Sequence, residues 1–160
     1  MPEELKVAAL NDCELVCTRV FDAPRKLVFD AHTRPELVRR WLLGPPGWSM
    51  PVCDIDLRVG GRFRYVWRND GSGREFALAG TYRAIAAPHR IVHAEAFEDG
   101  DMPEALVTTE FTEDGGRTTM TMAISYATAE DLKAALATGM TGGMAQSYDR
   151  LDGVLGEVAG

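Results

Sequence analysis

Cysteine is scarce in this sequence, with three in 160 residues, at positions 13, 17 and 53. An odd number cannot pair completely within one chain, and no Cys-x-x-Cys occurs, which excludes a disulfide scaffold and a thiol-redox motif. Cys13, Cys17 and Cys53 instead read as small apolar side chains in a reducing compartment. No run approaches 18 apolar residues, so no membrane-spanning helix is expected. The first residues hold Glu3 and Glu4 and no apolar segment, so no signal peptide is expected, and the chain reads as cytoplasmic. Gly-x-Ser-x-Gly, a Walker-type loop and a dinucleotide fingerprint are all missing. Gly139-x-x-Gly142-Gly143 falls inside a helical pattern and is not a phosphate loop. His32, His89 and His93 stand at no metal-ligand spacing, so neither a metal nor a cofactor is expected.

A basic excess is also lacking. Lys and Arg number 17 against 24 Asp and Glu, for a net charge of −7. Nucleic-acid binding needs a concentrated basic surface and is excluded as a leading reading. The imbalance is uneven: residues 1–80 hold 12 basic against 11 acidic side chains, and residues 81–160 hold 5 against 13. The excess negative charge therefore sits in the second half, which disfavours anionic membranes.

What remains is an ordinary globular composition, 46% hydrophobic and 26% charged, long enough for one core and one domain over 1–160. Residues 1–12 read as a loosely held leader. Glu14–Ala23 is rich in β-branched residues and reads as a strand. Asp22 is placed to cap a short helix opened by Pro24. A second short helix, PELVRRWLL, stops at Gly44-Pro45-Pro46-Gly47. The period then changes from 3.6 to 2. Strands are expected over 51–59, 62–68, 75–86, 90–97, 105–111 and 117–127, joined by short turns into an antiparallel meander. A long helical pattern starts at Thr128, where Asp131 completes an N-terminal capping pattern. Leu132, Leu136, Met140, Met144, Leu151 and Leu155 form its apolar stripe. Gly139, Gly142 and Gly143 interrupt that stripe at about 1 kcal/mol each, which calls for a kink or a close approach.

The order strand, two helices, six strands, helix describes an α+β chain with a curved antiparallel sheet of about seven strands round a C-terminal helix. The stretches RVFDAPRKLVFDAHTRPELVRRWLLGPPG, DIDLRVGGRFRYVW, GTYRAIAAPHRIVHAEAF and SYDRLDGVL resemble the START/Bet v 1-like (SRPBCC) superfamily. Within it they resemble the branch named after the C-terminal domain of the Hsp90 ATPase activator Aha1. The resemblance runs from about Val16 to Leu155. It implies a helix-grip fold with an internal pocket for apolar small molecules, but no single activity.

Candidate pocket residues follow from the inner faces. Phe63, Tyr65 and Trp67 alternate with Arg62, Arg64 and Arg68, which with Arg58 read as a solvated face. Rings on the concave side suit a flat apolar ligand, and equally an ordinary core. Met120, Met122 and Tyr126 share a face of the last strand, and Met140 and Met144 stand four apart on the helix; flexible thioethers suit a site that accepts several shapes. Trp41 and Trp48 flank the GPPG corner, which resembles the family's pocket mouth. His93 and Glu95 share a face with Ile91 and Phe97. Inward, they would form an acid–base pair in an apolar space; the outer, solvated face is the favoured reading.

The leading functional expectation is a non-enzymatic carrier or sensor of a small hydrophobic, aromatic-type molecule. The alternative is a cyclase-, aromatase- or hydratase-like enzyme using His93, Glu95, Glu110 or Tyr82. A third reading is a chaperone-activating interaction module. Dimerisation through an exposed strand face or the second helix is compatible with the sequence and not fixed by it.

Overall fold

The computed structural model describes residues 4–98 and 102–159. The strands are β1 (Lys6–Asn11), β2 (Glu14–Phe21), β3 (Trp48–Ile55), β4 (Arg62–Asn69), β5 (Glu75–Ala86), β6 (Arg90–Phe97), β7 (Ala105–Asp114) and β8 (Arg117–Tyr126). They form one antiparallel sheet in the order β1-β2-β8-β7-β6-β5-β4-β3. Helices α1 (Arg25–Thr33) and α2 (Pro35–Trp41) lie between β2 and β3, and α3 (Ala129–Leu136) and α4 (Met140–Ala159) follow β8. The α+β helix-grip architecture expected from the sequence is present: a curved sheet holds α4 against its concave face.

Alternation sets the two faces, because successive side chains of a strand point opposite ways. β2 buries Leu15, Cys17, Arg19 and Phe21. β4 buries Phe63, Tyr65 and Trp67 and leaves Arg62, Arg64 and Arg68 exposed. Arg64 pairs in bidentate fashion with Glu98 on the outer face (2.7 and 2.9 Å). The inner face meets α4 through Tyr148, Leu151, Val154 and Leu155, which share one core with Phe21, Val28, Val38, Trp41 and Phe111. Burying each such large apolar side chain contributes roughly 1.5–3 kcal/mol. Among the described residues no helix is long and apolar enough to cross a membrane.

Several expectations are corrected. Most of the supposed leader is a strand: Lys6–Asn11 pairs with β2, which makes the sheet eight-stranded. All six of its side chains are exposed, so it carries no inward–outward alternation to read. Met1–Glu3 lie outside the described residues. Asp22 does not cap α1. Pro24 is the N-cap and offers no side-chain acceptor, and the Arg25 N–H is instead satisfied by Glu113 Oε1 at the β7–β8 hairpin (2.7 Å). β3 starts at Trp48 and ends at Ile55, a shifted span in which an irregularity between Ser49 and Val52 accommodates Pro51.

The C-terminal helix is two helices. Thr128 Oγ1 accepts from the Asp131 N–H (3.1 Å), as the capping pattern predicts, but α3 ends at Leu136. Gly139 at φ +78° turns the chain before α4 begins, a conformation other residues adopt only with strain. Gly142 and Gly143 are not forced by any close approach. A methyl on Gly142 would meet nothing within 4 Å, and one on Gly143 would rest 3.7 Å from Pro45 Cδ. The corner after α2 is tied to α4. Arg150 donates to the carbonyls of Trp41 (3.0 Å) and Gly44 (3.1 Å), and the Gly44 N–H donates to Ser147 Oγ (2.8 Å).

Candidate ligand-binding site

The strand registers decide which side chains face α4. Phe63, Gly80, Glu95, Ala105 and Tyr126 stand directly opposite one another across β4 to β8. Tyr82, His93, Val107 and Ile124 form the neighbouring row. Opposed residues point to the same face, and Phe63 is buried in the core, so Glu95 and His93 point inward. This corrects the outward placement favoured from the sequence. Gly80 makes the arrangement possible: the Phe63 ring lies across it, where any Cβ would collide with that ring and with the Ala94 carbonyl. The ring thereby meets His93 edge-on at 5.0 Å, Tyr65 at 5.0 Å and Tyr82 at 5.4 Å.

His93 Nε2 lies 2.6 Å from Glu95 Oε1. Their side chains keep 17% and 27% of their exposure, so the pair is sheltered but reachable. Tyr65 and Tyr82 beside it are 8% and 4% exposed, and neither hydroxyl has a hydrogen-bond partner among the described residues. Burial pushes the hydroxyls of Tyr65, Tyr82 and Tyr148 up, and that of Tyr126 up to about 12; the Glu95 charge adds to the rise at Tyr65, Tyr126 and Tyr148. All four are therefore neutral O–H groups near pH 7.

The methionines complete this end. Tyr148 Oη donates to Met122 Sδ at 3.7 Å, and Tyr126 Oη to Met140 Sδ at 3.8 Å. Met122, Met140 and Met144 are each only half-buried. A cleft of about 440 Å³ opens outside, with Tyr126 in its wall beside Leu106, Glu104 and Asp131. Tyr126 is thus shared by the cleft and the inner face.

Other candidates fall elsewhere. Trp41 is core, 2% exposed, with its indole N–H donated to the Ala31 carbonyl (2.8 Å). Trp67 donates to the Leu42 carbonyl (2.7 Å). Trp48 is half-buried at the rim against Phe76, ring centroids 5.1 Å apart. Met120 is fully buried among the closed core residues, away from the methionine–tyrosine end. Glu110 is exposed on the outer face of β7, because its neighbours Thr109 and Phe111 take the inner positions, and it cannot act in a shared site with His93. The space expected between α4 and the sheet is filled under α1 and α2 by Trp41, Phe111 and Leu151. A second cleft, of about 320 Å³, is lined on the outer side by Arg62, Ala79, Thr81, Arg83, Ala96 and Glu98, and reaches Gly80 and Glu95. Among the described residues no cluster of three or more His, Cys, Asp or Glu could hold a metal.

Two functional-looking residues escape the sequence reading. Tyr148 follows Met144 by four residues on the stripe, a spacing that could have exposed it. His32 sits among Trp41, Phe111 and Tyr148 at 4.9, 5.0 and 6.2 Å. Its Nδ1 is 2.8 Å from the Val28 carbonyl, and its Nε2 is buried without a partner.

Comparison with known proteins now decides the family. The model of the Activator of Hsp90 ATPase homolog 1-like proteins matches residues 22–156. The chain belongs to this family. A crystal structure of a Rhodobacter sphaeroides protein is 32% identical, covering 96% of this chain and 99% of that one, with a TM-score of 0.89. A Mycobacterium smegmatis protein is 28% identical over 97% of both chains, with a TM-score of 0.83. An AHSA1-like protein from Aeromonas hydrophila, solved by NMR, shares the fold at 20% identity, covering 87% of this chain and 93% of that one, with a TM-score of 0.69. No curated protein matches the sequence. Membership of the Activator of Hsp90 ATPase homolog 1-like family accounts for the helix-grip frame; the chemistry has to come from the side chains within it.

Proposed function

We propose that this chain binds a small, largely apolar molecule at the methionine–tyrosine end of the inner face, and carries or senses it without transforming it. The observation that carries the reading is the inward His93–Glu95 pair beside the unpartnered hydroxyls of Tyr65 and Tyr82. Neither hydroxyl is among the buried polar atoms left without a partner, so both oxygens reach open space. A bound molecule offering an acceptor takes up these O–H groups in place of solvent, while half-buried Met122, Met140 and Met144 adapt to its shape. Phe63, Tyr65 and Tyr82 supply the rigid wall, and Trp48 the rim.

The test is a panel of apolar compounds titrated against the full chain, followed by tryptophan emission and thermal denaturation. At ten times Kd, binding stabilises the folded state by about 1.4 kcal/mol, which corresponds to about 3–5 °C in Tm. Absence of a saturable shift with every compound would refute the reading.

One observation favours a second reading. Glu95 holds His93 in the geometry by which a carboxylate orients an imidazole for proton transfer. On that reading His93 is the base in a cyclase-, aromatase- or hydratase-like reaction, and Tyr82 a donor to the developing oxyanion. Turnover of a bound compound, abolished by His93→Gln with binding retained, would decide for it over simple carriage.

A further inference from the structure

The polar groups at this end of the inner face include one carboxylate, Glu95, and no lysine or arginine paired with it among the described residues, and that restricts what they hold. Glu95 has a single hydrogen-bond partner among the described residues, His93, and its side chain keeps 27% of its exposure. Arg19, buried on the inner face, lies in the Met120 row, bonded through Nη1 to Asp149 at 2.7 Å and with its Nε and Nη2 buried and unpartnered. Arg150 is spent on the Trp41 and Gly44 carbonyls. Tyr65, Tyr126 and Tyr148 all feel the Glu95 charge, and no cation draws any of them down. The outer cleft that shares Tyr126 contains Glu104 and Asp131 and no lysine or arginine. It belongs to the half of the chain with 5 basic and 13 acidic residues, whose field concentrates cations.

The rings add a second, independent feature. Phe63, Tyr65 and Tyr82 cluster with centroid separations of 5.0 and 5.4 Å about Phe63, directly beside the Glu95–His93 pair. Aromatic faces next to a carboxylate attract a cation through the ring quadrupole and the counter-charge together. A carboxylate ligand would meet the Glu95 charge with His93 alone, and no paired lysine or arginine among the described residues, to offset the repulsion. A neutral ligand would leave Glu95 with His93 alone.

We infer that the ligand is an apolar body carrying a protonated amine, with Glu95 as its counter-ion and the Phe63, Tyr65 and Tyr82 rings as its walls. This rests on the binding reading above and names the chemical class of its ligand. The amine enters past Glu104 and Asp131, its nitrogen donates to the Glu95 carboxylate, and its body lies against Met122 and Met144. His93 fixes the carboxylate from the other side.

The experiment uses matched compounds on two body sizes: 2-phenylethylamine, 2-phenylethanol and 3-phenylpropionate, and their naphthyl counterparts. Calorimetry on the full chain at pH 7 is expected to give amines at least tenfold tighter than alcohols, with carboxylates weakest. Glu95→Gln is expected to bring amine and alcohol within threefold of each other while the alcohol changes by less than twofold. Alcohols binding as tightly as amines, or carboxylates leading, would overturn the amine inference and leave the binding reading standing. No binding by any of the six compounds would overturn both. Should Glu95→Gln fail to fold, the wild-type ratios still decide. Glu104→Gln with Asp131→Asn, both lining the outer cleft, is then expected to slow amine association severalfold at low salt and not at high salt; an unchanged rate would overturn the acidic approach.

Discussion

The two halves of the concave face are built on different terms, and their two histidines show it. Under α1 and α2 the space is closed: Phe21, Trp41, Phe111 and Leu151 are at most 2% exposed. His32 sits among them neutral, pulled down to about 4 by burial against the opposing effect of its Val28 contact. Near the α3–α4 break, His93, Glu95, Met122, Tyr126, Met140 and Met144 are all half-buried. There the histidine has a carboxylate 2.6 Å away and surface left for something else. Rigid rings with satisfied N–H groups make a stabilising core, whereas thioethers and spare hydroxyls make a receptive one.

The contrast is broken most strongly by truncation. Trp41→Ala in the closed half is expected to cost about 3–5 kcal/mol, lowering Tm by roughly 10–15 °C. Met144→Ala in the receptive half is expected to cost about 1 kcal/mol or less, since its surroundings are already part open. Denaturant unfolding of both variants measures the difference, and equal losses would erase the distinction between halves.

Acid sharpens it next. The folded His32 pKa of about 4 lies below the ordinary 6.5, so the unfolded chain binds its proton first as pH falls. The stability contribution is fully present above pH 6.5 and is lost between there and pH 4, amounting to about 3 kcal/mol. Unfolding free energies measured across that window should flatten in His32→Phe. An equally steep fall in the variant would assign the acid sensitivity to other groups.

A smaller effect belongs to the break itself. Gly139→Ala places a Cβ on a residue at φ +78° and is expected to cost about 1–2 kcal/mol. The same substitution at Gly142, whose added methyl meets nothing within 4 Å, is expected to be neutral or stabilising.

The frame was legible because strands and turns announce themselves locally. β5 and β6 fall at 75–86 and 90–97 as expected, and Phe63, Tyr65 and Trp67 take the inner face as their alternation with arginines requires. The site was less legible for a definite reason. Alternation shows that His93 and Glu95 share a face but not which one; only the register through Phe63, Gly80 and Glu95 fixes the sign. β1 stayed hidden because exposed residues carry no pattern. The split between α3 and α4 stayed hidden because three nearby glycines do not reveal which one adopts the left-handed conformation.

The clamp between α4 and the α2–β3 corner has a practical consequence. Arg150 and Ser147 grip backbone at Trp41 and Gly44, while Trp48 opens the next strand a few residues later. Occupancy that nudges α4 must tug this corner too, so a Trp48 left as the sole indole, by replacing Trp67 and the core Trp41 with phenylalanine, turns the molecule into its own optical gauge of what it has taken up.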